Sequence, residues 1–178
     1  MAAELTEGEE GRHSVAVSVP GRQSRDRIIK LLLEDPAGIR LSPTVEHERR
    51  VALYDLLEDN VFAVKGPFHG PYVVHLSGDG ERLTFRVCDQ LDLQLTRFSV
   101  LLGSLRSVIK DYFLICESYF NAIKTLTPSR IEAIDMGRRG LHNEGAERLR
   151  ENLAPKVDID KDTARRLFTL ICVLHIRR

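Results

Sequence analysis

In the stretch IDMGRRGLHNEG, Arg138 and Arg139 stand between Gly137 and Gly140, and His142, Asn143 and Glu144 follow after Leu141. A guanidinium fork grips a carboxylate or phosphate through paired N–H groups, and an imidazole supplies an acid or base near neutrality. Its part MGRRGLHNEG holds no thiol, no hydroxyl and no carboxylate pair suited to covalent or hydrolytic work. Its residue types therefore point to anion recognition. Gly137, Gly140 and Gly145 would each cost about 1 kcal/mol inside a helix, so the glycines predict a break. One helix would end near Met136 and a second would begin at Asn143, a good N-cap, and run to Leu153. Arg138 and Arg139 would then lie beside a positive helix end whose free N–H groups help to hold a phosphate or a partner's carboxylate. The competing reading pairs the arginines with Glu117, Glu132, Asp135 or Glu144 and makes them struts between helices.

Other chemistry is sparse. The chain has no phosphate-binding P-loop, no dinucleotide fingerprint after a strand, no nucleophile elbow and no HExxH helix, and its six histidines never fall at a spacing such as HxxxH. His47 lies between two glutamates, but helical neighbours point about 100° apart and cannot chelate together. GDGERLTF lacks the acidic positions of a calcium loop. No metal site and no cofactor are expected. The 26 basic residues are balanced by 26 acidic ones, so no overall field recruits nucleic acid or a membrane surface. Cys88, Cys116 and Cys172 form no CxxC pair and read as reduced thiols of a cytoplasmic protein. Cys116 and Cys172 fall on helical apolar stripes and should be inert, whereas Cys88, at a strand end, should react first. The acidic start MAAELTEGEEGRHS has no apolar core of a signal peptide, and the longest apolar run, LFTLICVL, is far short of the roughly 20 residues that span a bilayer.

The elements that must position these residues follow from periodicity. Residues 1–24 read as a disordered tail, with SVAVSV a possible edge strand, and residues 25–178 as one α+β domain. RIIKLLLED, closed by PAG, suggests a strand more than a helix, although its Leu and Lys residues also suit a helix. Ser42-Pro43 starts a helix to about Asp59 with Val45, Ala52, Leu53, Leu56 and Leu57 inward. YVVHLSGDGERLTFRVC is a hairpin turning at Asp79-Gly80, which sets Leu76 opposite Leu83, Val74 opposite Phe85, Tyr72 opposite Val87 and His75 opposite Thr84. LDLQLTRFSVLL adds a strand before Ser104 caps a helix. Leu105, Val108, Ile109, Tyr112, Phe113, Cys116, Tyr119, Phe120 and Ile123 recur on one face of that helix, which predicts a central core element. Thr127-Pro128 starts the next helix with Ile131 and Ile134 inward. Asp158 or Asp160 caps the last, whose end carries Arg177 and Arg178. Strands followed by helices predict an α+β fold, a small antiparallel sheet of about four strands packed against a C-terminal bundle of three to four helices.

The segments VEHERRVALYDLLEDN, IKDYFLICESYFNAI, SRIEAIDMGRRGLHNEGAERL and DTARRLFTLICVLH resemble the alphaproteobacterial uncharacterised protein family UPF zero-two-six-two. The likeness covers roughly Arg27 to His175 and departs in the N-terminal tail and in CDQLDLQLTRFSVLLGSLRS. It implies a small cytoplasmic bacterial protein and brings no activity, cofactor or partner. The expectation is a non-enzymatic binding or regulatory module with an unknown protein partner. The alternative is an enzyme or sensor for a phosphate-containing ligand, a nucleotide or RNA, using Arg138, Arg139 and His142.

Overall fold

The computed structural model describes residues 25–34 and 43–175, with the side chains of residues 44, 45 and 48 excepted. The elements run β1 (Ile28–Glu34), α1 (Pro43–Glu58), β2 (Phe62–Val64), β3 (Tyr72–Gly78), β4 (Arg82–Cys88), β5 (Gln94–Leu101), α2 (Gly103–Thr125), α3 (Pro128–Leu153), β6 (Val157–Ile159) and α4 (Lys161–His175). The fold is α+β. The tail, the Ser42 cap, the inward side chain of Val45 and the terminal arginines lie outside the described residues.

Alternating side chains give the main sheet two unlike faces. Ile28, Leu31, Val74, Leu76, Leu83, Phe85, Val87, Phe98 and Val100 join one apolar cluster with Leu56 of α1, Leu105 of α2, Leu149 of α3 and Phe168 of α4. The strand order is β1-β3-β4-β5, with β1 parallel to β3 and the other pairs antiparallel. The sheet is therefore mixed, because α1 carries the chain across before it returns. Asn60, just after α1, fixes that crossover. Its Oδ1 accepts the Ile28 N–H at 2.7 Å, and its Nδ2 donates to the carbonyls of Ile28 and Leu56 at 2.9 and 2.8 Å. Phe62–Val64 and Val157–Ile159 pair as a separate antiparallel ribbon that periodicity does not announce.

The hairpin forms with its tip displaced. Gly78 pairs with Leu83, Leu76 with Phe85, Val74 with Val87 and His75 with Arg86. The expected partners are thus corrected by two positions, a slip that leaves every side chain on its expected face. The tip moves to Gly80-Glu81 because Asp79 Oδ1 accepts the N–H groups of Glu81 (2.9 Å) and Arg82 (2.8 Å), while Gly80 takes φ +93°. Ser104 is not a cap: α2 starts at Gly103 after Leu102, and the Ser104 hydroxyl accepts from Asn152 Nδ2 at 2.9 Å. Thr127 and Pro128 do start α3, and Asp160 caps α4 by accepting the Thr163 N–H at 2.8 Å.

The larger correction concerns the glycines. α3 is continuous from Pro128 to Leu153, so no helix begins at Asn143 and no free N–H groups flank Arg138 and Arg139. Gly145 is buried, and a Cβ there would lie 2.2 Å from the Phe168 ring; one at Gly137 would meet Ile115 Cδ1 at 2.7 Å. Close helix packing outweighs the propensity cost.

Candidate functional site

Helices α2 and α3 are joined only by Leu126 and Thr127 and form a long antiparallel hairpin. Its base is held in the core through Leu105, Val108 and Ile109 on one helix and Gly145, Ala146, Leu149 and Leu153 on the other. Between residues 110 and 144 only Ala122 is buried. The apolar stripe that the sequence assigns to the core divides accordingly. Tyr112 and Phe113 pack partly against the core, whereas Phe120 is 53% and Ile123 50% exposed. Met136 (66%) on α3 adds to this open apolar surface.

The five residues singled out by sequence all lie on α3 and do not converge on one point. Arg138 Nε and Nη2 donate to Asp135 Oδ1 at 2.9 and 2.7 Å, and Arg139 Nε donates to Asp135 Oδ2 at 2.8 Å. These hydrogen bonds, from Arg138 first and then Arg139, hold the Asp135 carboxyl below its ordinary range. Arg138 also sits 5.3 Å over the Tyr119 ring, a cation–π contact between the two helices. The Arg139 side chain remains 66% exposed. Glu144 pairs with Arg148 at 2.6 Å, one helical turn away. Asn143 is exposed beside a shallow cleft between α3 and the start of α4.

His142 is wedged between the rings of Tyr112 and Phe168, with centroids 5.4 Å from each. Its Nε2 lies 2.9 Å from Thr169 Oγ1, whose hydroxyl donates to the Arg165 carbonyl, so Nε2 carries the proton and donates. Nδ1 is buried with no hydrogen-bond partner. Burial first, then the charges of Arg165 and Arg138, lower the pKa from 6.5 to about 4. The unfolded chain takes up this proton near pH 6.5 and the folded chain refuses it until about pH 4. Stability is thus retained above 6.5 and lost as the pH falls towards 4. In melts across that window the wild type is expected to lose stability more steeply than His142→Gln; equal slopes would show that His142 is not the responsible group.

A second grouping is not visible as a linear motif. His75 of β3, Cys88 at the end of β4 and Asp92 of the β4–β5 loop each place a ligand-type atom within 4.8 Å of the others. His75 Nε2 lies 2.7 Å from Asp92 Oδ1, and Nδ1 lies 3.3 Å from Glu34 Oε1. Strand register, not sequence interval, brings them together, so no metal-type spacing marks them in the chain. Cys88 is fully buried, contrary to its expected reactivity. Burial, then its hydrogen bond to Asp92, pushes its thiol pKa up, so it is not an activated nucleophile. Cys172 is buried as expected, with its thiol pKa raised by burial, and Cys116 is only half-buried.

The described residues thus define an α+β protein with a long helical hairpin whose outer half is largely open to solvent. The profile of Uncharacterised protein family (UPF0262) matches residues 25–177, and the chain belongs to that family. It is 56% identical over 153 residues to the UPF0262 protein of Paramagnetospirillum magneticum, covering 86% of this chain and 98% of that one. The UPF0262 protein of Rhodospirillum rubrum is also 56% identical, over 85% of this chain and 94% of its own. That of Mesorhizobium japonicum is 51% identical, over 87% and 96%. No solved structure matches. No helix among the described residues is long and apolar enough to cross a membrane.

Proposed function

We propose that the protein is a non-enzymatic binding or regulatory module of the bacterial cytoplasm, and that it offers a protein partner the outer half of the α2–α3 hairpin. The observation carrying this reading is the stripe that runs at core spacing along α2 and yet leaves Phe120 and Ile123 half exposed. Aromatic residues, methionine and arginine are the types enriched where proteins meet. The outer hairpin supplies all three in Phe120, Met136 and Arg139. Its partner would present an apolar centre, with Arg139 at the rim already tied by its fork to Asp135 and contributing positive charge rather than a free fork.

A phosphate ligand is less well served. Arg138 and Arg139 already donate to Asp135, so an anion would have to compete with that carboxylate, and the backbone around Asn143 is committed to the helix. Capture from host extract should fall at least tenfold for Phe120→Ala and for Ile123→Ala, and less for Arg139→Lys, which keeps charge but loses the fork. The isolated variants should melt within about 1 kcal/mol of wild type, as exposed positions do. Undiminished capture, or strong destabilisation of the isolated variants, would contradict the reading.

A further inference from the structure

On the sheet face turned away from the helices, Val73 pairs with Cys88 and His75 with Arg86. Cys88 is fully buried and His75 is 8% exposed, although neither belongs to the main apolar cluster. The β4–β5 loop is tightly tied: Asp89 N–H donates to the Leu93 carbonyl at 2.9 Å, and Asp89 Oδ1 accepts from the N–H groups of Leu91 and Leu93 at 2.9 and 3.0 Å. These bonds hold Asp92 at φ +62° with its carboxylate turned back onto His75. A buried imidazole, a buried thiol and a carboxylate on a fixed loop therefore face one another.

We propose that His75, Cys88 and Asp92 form a binding site for a borderline-soft divalent cation of the zinc class. Sulfur, imidazole nitrogen and carboxylate oxygen together are the donor set such ions select, whereas calcium and magnesium want oxygen alone. A tetrahedral ion holds its ligand atoms roughly 3.3–3.7 Å apart. From the present spread, 2.7 Å between His75 and Asp92 and no more than 4.8 Å across the group, each ligand shifts by about an ångström or less to reach that geometry. Asp92 is exposed, so its side chain can turn by that amount while the loop backbone stays fixed.

The neighbours complete the arrangement. With Nδ1 as the protonated nitrogen facing Glu34, His75 presents the Nε2 lone pair to the ion, the carboxylate–imidazole orientation common at metal sites. A Cys88 thiolate and the Asp92 carboxylate balance two positive charges. Arg86, 3.7 Å from Glu34 and with Nη1 3.5 Å from Cys88 Sγ, balances the remaining acid. Three protein ligands leave a fourth position for water or for a donor from a partner.

Full-length protein stripped with a chelator is titrated with cobalt(II), and with zinc(II) against a chromogenic competitor. The expected result is one ion per chain with a near-ultraviolet sulfur-to-cobalt band, lost in Cys88→Ser and retained in Cys116→Ser. Asp92→Asn and Glu34→Gln should weaken zinc, Glu34→Gln by about 10- to 100-fold as for other groups that orient a ligand. Both substitutions fall on exposed side chains, so they remain informative if Cys88→Ser fails to fold. Absence of the band in wild type, its persistence in Cys88→Ser, or unchanged zinc affinity in Asp92→Asn would overturn the proposal.

Discussion

Phe168→Ala is expected to lower the unfolding free energy by about 3–5 kcal/mol, measured by denaturant titration. The ring is fully buried, edge-on to Tyr112 (centroids 5.9 Å apart) and to His142, with Gly145 against its far edge. Its removal empties a site where α2, α3 and α4 meet, and those helices are too firmly seated in the same core to collapse onto the space. The loss is a large share of the roughly 5–15 kcal/mol that domains of this kind possess. Water reaching the vacated site should also let the His142 pKa climb back from about 4 towards 6.5. A cost below about 1 kcal/mol would mean that α4 does not dock on α3 as described.

Gly145→Ala and Gly140→Ala should move stability in opposite directions although they lie on one helix. At Gly145 the new methyl would sit 2.2–2.7 Å from three carbons of the buried Phe168 ring, and forcing helix and ring apart should cost about 1–3 kcal/mol net of the improved propensity. At Gly140 nothing lies within 4 Å, so alanine should add up to about 1 kcal/mol. Were the segment a loop rather than a helix, the gain at Gly140 would vanish. Paired thermal melts decide between the two.

The behaviour of these glycines explains which parts of the fold sequence alone made legible. α1, the hairpin and β5 announce themselves through apolar period, whereas β1 shows only through its Ile and Leu content, which also suits a helix, and α4 through its Asp160 cap and nearly continuous apolar run. The glycine stretch misleads because propensity counts each glycine as a cost, while the need for a missing side chain at Gly145 exists only once α4 lies against α3. The hairpin faces were legible from alternation. The tip was not, since it depends on which backbone N–H groups the Asp79 side chain accepts. Three-residue strands such as Phe62–Val64 are too short to show a period.

The candidate sites divide in the same way. The residues of the arginine stretch were found by type, but their partners were not: Asp135 was one of several possible acids, and the packing of His142 against Phe168 depends on a helix 26 positions further along. The grouping of His75, Cys88 and Asp92 had no linear signal. Alternation did place His75 on the outer face of the sheet, but its burial beside Cys88 exists only once the β4–β5 loop has closed over it.

The claim that the outer half of the α2–α3 hairpin is covered by a partner is tested most directly by side-chain accessibility in the native host. A Lys124→Cys variant, which places the thiol one turn from Phe120 and keeps both Phe120 and Ile123, is treated with a membrane-permeant maleimide, once as purified protein and once in intact cells, and labelling at that position is read by peptide mass spectrometry. Fast labelling of the purified protein with at least tenfold slower labelling in cells, relative to a cysteine placed at exposed Gln90, is the result the account predicts. Equal protection factors at the two positions would contradict it.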